Sequence, residues 1–183
     1  MATVFIHATV TLDGFMADPD GGVDWMFDFP SAPEDETVVQ QVMAKIGAVV
    51  GGANAEQTIE DDGQPYGGML KVPVYLMTHT PHDPIERDGT TYTFVVDDIR
   101  QAVETAKEAA ADRWVSLLGG SISRQCLQLG LVDEIHLDVV PTLLGQGISI
   151  FGGLGRRIDL ERLETSAFAS ETHLRFKVLG ERG

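Results

Sequence analysis

The sequence predicts an α/β fold with a mostly parallel central sheet, helices on both of its faces and an antiparallel hairpin at one edge. Three observations carry this. Short runs rich in β-branched residues alternate with segments of helical periodicity; two of those runs end in paired glycines, Gly51-Gly52 and Gly119-Gly120; and the stretch from Leu160 onward reads as two strands with no helix between them. At 183 residues the chain fits a single domain, 1–183, able to bury a sizeable core unaided.

Taken in order, Val4–Thr11 is a β-branched run that meets Asp13-Gly14, a central strand entering a turn. From Asp18 to Pro33, five prolines and glycines surround Val23-Asp24-Trp25-Met26-Phe27, which gives a loop with an apolar anchor suited to walling a pocket. Glu34 to Lys45 places Val38, Val42 and Ile46 at four-residue spacing, with carboxylates in the first turn where the helix dipole favours them. A buried strand, Ala48–Gly51, follows, then a short helix from Gly52 to Thr58 and a polar surface excursion from Glu60 to Gly68.

Val72–Thr78 reads as a strand with Pro73 near its start, and Thr91–Val96 as the next. Asp98 can cap a helix reaching Ala111, with Ile99, Val103, Ala106 and Ala110 on one face. Trp114–Leu118 is a strand, Ser121–Leu129 a helix stopped by Gly130, and Glu134–Val140 another strand. The tail, 160–168 and 172–179, forms the edge hairpin.

Twenty-eight acidic against thirteen basic side chains give a formal charge of −15. Such a surface repels polyanions over ~8–10 Å, which excludes nucleic acid and anionic membranes as partners. An anionic small molecule needs locally aimed N–H groups to overcome that field. The single cysteine, Cys126, forms no intrachain disulfide and suits a reducing compartment. Met1–Ile6 lacks a charged, cleavable leader, and no apolar run approaches the ~20 residues of a membrane span. The expectation is a cytoplasmic protein.

At Leu118-Gly119-Gly120-Ser121 the missing Cβ atoms admit a ligand close to the backbone, and the following helix offers free N–H groups with the positive end of its dipole. The same turn also serves a strand-to-helix connection that binds nothing. Gly51-Gly52-Ala53-Asn54 repeats the arrangement, with close packing as its plainer reading. Pro141–Ile148 reads only as a loop. The chain has no metal-ligand spacing, no Gly-x-Ser-x-Gly elbow and no phosphate-loop lysine, and no metal is expected. Its five histidines, His7, His79, His82, His136 and His173, are scattered and read as satisfied strand or loop residues.

Three segments together point further: Thr11–Ala17 (TLDGFMA), Leu118–Ser121 (LGGS), and Gly130–Ile135 (GLVDEI) continuing to Pro141–Gly147 (PTLLGQG). In this order and at these spacings they closely resemble the riboflavin-biosynthesis reductase C-terminal domain family, relatives of dihydrofolate reductase. The resemblance implies a dihydrofolate-reductase-like fold, NADPH or NADH as cofactor, hydride transfer to a small heterocycle or its ring-opened sugar derivative, and a homodimer. The zinc deaminase signature found fused in some relatives is absent.

By position, the resemblance assigns Leu118, Gly119, Gly120, Ser121 and Ile122 to the pyrophosphate and nicotinamide side. It sets Ala8 and the turn Leu12, Asp13, Gly14 to Ala17 beside the nicotinamide, with Asp13 shaping that turn. Asp24, Trp25 and Asp28 fall where relatives contact substrate; Trp25 also suits a structural plug. Gly52, Ala53, Asn54, Thr78 and His79 face the adenosine. Relatives carry Gly-Arg-x-Thr after the second major strand, whose arginine and threonine bind the 2′-phosphate; this chain has Gly52-Ala53-Asn54-Ala55. Loss of a charge-assisted, bidentate contact favours NADH, with Thr78-His79 as a partial replacement. No proton donor is assigned beyond Asp24, Asp28 or water. A non-catalytic nucleotide- or flavin-binding module on the same fold is the alternative, and a dimeric structural protein a third.

Overall fold

The computed structural model describes residues 2–30, 32–52 and 65–180. The strands are β1 (Val4–Thr11), β2 (Phe15–Ala17), β3 (Ile46–Gly52), β4 (Val74–Thr78), β5 (Ile85–Arg87), β6 (Thr90–Val96), β7 (Trp114–Leu117), β8 (Glu134–Val140), β9 (Ile148–Ser149), β10 (Asp159–Phe168) and β11 (Glu171–Gly180). The helices are α1 (Pro33–Met43), α2 (Ile99–Ala110) and α3 (Gly120–Gln128). Nine strands form one sheet in the order β10-β11-β8-β1-β7-β3-β4-β6-β5. Its six central strands are parallel, and antiparallel partners close both edges.

Side-chain alternation along the strands splits the core in two. Val4, Ile6, Val50, Val115 and Leu117 pack against the apolar stripe of α2 and against Ile122, Cys126 and Leu127 of α3. Phe5, Val49, Val74 and Leu76 face the other way, towards Val42 of α1 and the Leu70–Val72 connection. Helices therefore cover both faces, as the alternation of elements predicted. Asp98 caps α2 by accepting from the Gln101 N–H at 2.9 Å, and Gly130 ends the turn after α3 at φ 68°. Among the described residues no helix is long and apolar enough to cross a membrane.

Several expectations need correction. Helix α1 ends at Met43, and Ile46, expected on its face, begins β3 instead. The helix buries Asp35 and Val42, and Asp35 serves as its own first-turn cap, accepting from Ala32 N–H at 2.7 Å. The described end of the polar excursion turns inward: Pro65–Gly68 folds into a tight turn whose Tyr66 hydroxyl lies 3.1 Å from His7 Nδ1 and 3.0 Å from Ser116 Oγ. Strand β5 forms a second edge hairpin with β6 inside an interval read as turns. Likewise β2 and β9 pair as a small second sheet, so the Pro141–Ile148 loop is tied down at its end. The short helix expected from Gly52 to Thr58 lies outside the described residues, apart from Gly52 at the end of β3.

Candidate functional site

Parallel strands β3, β4 and β7 end on one side of the sheet, and a cavity of about 770 Å³ opens over those ends. This is where open α/β sheets gather ligands, since the strand ends and helix N-termini converge there. Leu118, Gly119, Gly120, Ser121 and Ile122 all line it, as do Gly52, Thr78, His79 and Ala17. The turn from β7 into α3 explains its shape. Gly119 has φ +89°, a conformation side-chain-bearing residues avoid, and no side chain caps α3 behind it. At Gly120 a Cβ would stand 3.1 Å from Met16 Sδ and 3.0 Å from Arg124 Nη1, so a side chain there would push these two flexible ends off the turn. The first N–H groups of α3 thus carry no side-chain cap at the cavity, with the positive end of the helix dipole behind them.

Arg124 is the one lysine or arginine among the described lining residues, and it is anchored by donating to Ser149 O at 2.7 Å. The Ser121 hydroxyl accepts from Gln125 Nε2 at 3.2 Å. At the far end, His79 Nδ1 lies 2.5 Å from Asp97 Oδ1. Thr78 closes a local turn by exchanging hydrogen bonds with Thr80 at 3.1 Å.

A second cavity, of about 220 Å³, lies towards α1 and is lined by His7, Ala8, Thr9, Val39, Tyr66, Leu118 and Asp138. Leu118 borders both cavities. Ala8 therefore faces the smaller one, while Leu12 and Gly14 line neither. Leu12 is exposed, and its N–H donates to Thr142 O at 3.0 Å. Asp13 shapes the turn: its carboxylate accepts from Thr11 Oγ1 at 2.5 Å, Gly145 N–H at 2.8 Å and Leu144 N–H at 3.3 Å. These bonds, that from Thr11 foremost, hold the carboxyl below its ordinary range.

Asp24, Trp25 and Asp28 form a short 3₁₀ turn that lines neither cavity; Gly21 and Val23 of the same loop reach the large one. Trp25 does bury its indole N–H without a hydrogen-bond partner. Ala53 and Asn54 lie outside the described residues.

The sequence reading missed the polar chain beneath the small cavity. Three of the scattered histidines meet on adjacent strands, because β1, β8 and β11 pair with His7 opposite His136 and His173 opposite Asp138. Asp138, 5% exposed, accepts from His173 Nδ1–H at 2.6 Å and lies 2.9 Å from His7 Nε2. Burial would raise its carboxyl, but the two histidines overcome that and hold it far below the carboxylate range. His173 is raised to about 9, chiefly by the bond to Asp138, against burial and with help from Asp35 at 2.9 Å. Both His173 ring nitrogens are thereby engaged. Asp35, Glu171 and His173 bring ligand-capable atoms within 4.8 Å of one another, yet the ion pairs already spend the imidazole. Burial pushes the Tyr66 phenol up to about 12, so its hydroxyl keeps its proton.

Comparison with known proteins agrees with this architecture. The profile of the RibD C-terminal domain matches residues 2–174. Uncharacterized protein YyaP of Bacillus subtilis (strain 168) is 27% identical over 179 residues, covering 91% of this chain and 89% of its own. A solved structure from Shewanella sp. PV-4, assigned to riboflavin biosynthesis, superposes with a TM-score of 0.81 at 20% identity, covering 97% of this chain and 99% of that one. The Thermotoga maritima diaminohydroxyphosphoribosylaminopyrimidine deaminase/5-amino-6-(5-phosphoribosylamino)uracil reductase gives 0.70 at 14% identity; the match covers 97% of this chain and 56% of that one. With the profile spanning nearly the whole sequence and the chain superposing on its solved neighbour over almost its full length, this chain belongs to the RibD C-terminal domain family and has a dihydrofolate-reductase-like fold.

Proposed function

We propose that the chain is a single-domain, nicotinamide-dependent reductase that transfers hydride to a small heterocycle or its ring-opened sugar derivative, a pyrimidine or pteridine-like acceptor. The observation that carries this reading is the pair of cavities meeting at Leu118. One has the size of a cofactor site and ends on an uncapped helix N-terminus; the other is smaller and lined by polar groups. A dinucleotide pyrophosphate fits the first, because the glycine turn admits it and the α3 N–H groups face it. When bound, the reduced nicotinamide supplies the hydride.

The chain's own residues do the rest. Leu118 and Ala8 set the boundary across which the two reactants meet, and Val39 closes the small cavity with apolar surface. Reduction of a C=N or C=C bond leaves an electron pair on the acceptor that must take up a proton. The proton-carrying groups beside it are His7, held by Asp138, and Tyr66, whose hydroxyl lies against His7 and Ser116. A homodimer fits the exposed Leu160, Leu163 and Leu179 of the edge hairpin, which a second copy can cover.

Calorimetric titration with NADH, NADPH and FMN in turn tests the reading, followed by turnover of 5-amino-6-(5-phosphoribosylamino)uracil with whichever nicotinamide nucleotide binds. Sub-millimolar binding of at least one is expected. If neither nicotinamide nucleotide binds below millimolar concentration, the reductase reading fails, and FMN binding alone moves the chain to a flavin-binding module.

A further inference from the structure

The large cavity has a chemical polarity along its length that bears on which dinucleotide it takes. Hydride must reach the small cavity, so the nicotinamide end lies at Leu118 and the adenosine end lies on the opposite side, where Thr78, His79 and Asp97 line the cavity. In the sheet order β7-β3-β4-β6, the β6 end is three strand spacings from β7, ~14 Å. That is the span from a central pyrophosphate to the far edge of an adenosine.

Nothing cationic is free at that end among the described lining residues. Arg124 sits beside Gly120 and is committed to Ser149 O, and His79 is paired with Asp97. Asp97 itself is held in place: it has φ 53°, a left-handed conformation that aspartate and asparagine tolerate better than other side chains, and its N–H donates to Thr78 O at 3.1 Å. The neighbouring Asp98 is spent on capping Gln101, so the N-terminus of α2 is already satisfied at that position.

A carboxylate at this place accepts hydrogen bonds from the vicinal hydroxyls of a ribose and repels a phosphate on its 2′-oxygen. We infer that Asp97 is a specificity-determining residue that selects an unphosphorylated adenosine ribose, so that the cavity takes NADH in preference to NADPH. The inference rests on the reductase reading above and deepens it. His79 does not replace the absent arginine, because its Nδ1 is engaged by Asp97.

Titrations of the full chain with NADH and NADPH test it, using the wild type, Asp97→Asn and His79→Ala. Asparagine keeps the left-handed backbone and removes the charge. Wild type should bind NADH about tenfold or more tightly than NADPH, a gap of the size one charged contact sets. Asp97→Asn should shrink the gap to about threefold or less, and His79→Ala, which unmasks the Asp97 carboxylate, should keep it at about tenfold or more. Displacement of bound NADH from the wild type by ADP and by 2′,5′-ADP gives a measurement free of any variant, with ADP the stronger competitor. Equal or tighter NADPH binding, an unchanged ratio in Asp97→Asn, or stronger competition by 2′,5′-ADP overturns the inference and leaves the reductase reading standing. Binding of neither dinucleotide overturns both.

Discussion

Replacing Asp138 by asparagine probes the buried ion-pair chain at its centre. Asp138 meets His173 at 2.6 Å and His7 at 2.9 Å, and the first of these bonds is the largest effect lifting His173 from 6.5 to about 9. At about 1.4 kcal/mol per pH unit, that rise corresponds to about 3 kcal/mol of stability. The His173 side chain is 7% exposed, so solvent screening removes little of it. Because the folded-state value lies above the unfolded one, this contribution is complete below pH 6.5 and disappears as pH rises through about 9. Asp138 has the opposite sign: its depressed carboxyl stabilises the fold above pH 3.8, and that stability is lost in acid. Stability from the pair therefore peaks between those limits. Asp138→Asn should cost up to about 3 kcal/mol near pH 6, with Asp35 still holding His173 Nε2, a drop of at most ~6–12 °C in midpoint for a chain of this size, and clearly less above pH 9. Urea denaturation followed by circular dichroism at both pH values, with imidazole NMR of His173, reads the effect. An equal loss at both pH values, or a native His173 titrating near 6.5 in the wild type, refutes the reasoning.

Three further outcomes are expected. Gly119→Ala forces a Cβ into a φ of +89°, costing about 1–2 kcal/mol, and should weaken dinucleotide binding at least ~10-fold by re-aiming the α3 N–H groups; calorimetry beside a thermal melt separates the two effects. Asp13→Ala removes the ties to Leu144 and Gly145, so limited proteolysis should cut the 141–147 loop faster while the melting temperature changes little. Cys126 is buried and its thiol is pushed up to about 12, so an aromatic disulfide reagent should leave it unmodified in the native protein and titrate it fully in urea.

How much of this was legible in the sequence depends on how local the cause is. Strand β8 was bounded correctly because Glu134–Val140 is a β-branched run, and α2 because Asp98 and the apolar residues from Ile99 to Ala110 specify both its start and its buried face. The glycine turn at 119–120 was equally readable, since a positive φ and a close approach are local demands. Ile46 was misplaced for a local reason too: its four-residue spacing from Val42 continues a helical pattern, and only pairing with β7 shows that the strand has begun. Tyr66 was lost among polar neighbours. Its burial depends on His7 and Ser116, which are 59 and 50 residues away.

The polar chain shows why a site can be invisible even when each strand is recognised. Ile135-His136-Leu137-Asp138-Val139 alternates apolar and polar, a pattern read as one face in the core and the other in water. In the fold that polar face is covered. Asp35 arrives from α1, Tyr66 from the connection before β4, and His7 and His173 from the strands on either side. No spacing within β8 encodes those four arrivals; they follow from the strand order β11-β8-β1-β7 and its register. A one-residue slip of β11 against β8 would turn His173 to the opposite face and leave Asp138 buried without its strongest partner. The ion pairs thus specify the register of the C-terminal hairpin as well as stabilising it. The same register sets His173 against Asp138, a lining residue of the small cavity, so the edge hairpin reaches that cavity through one hydrogen bond.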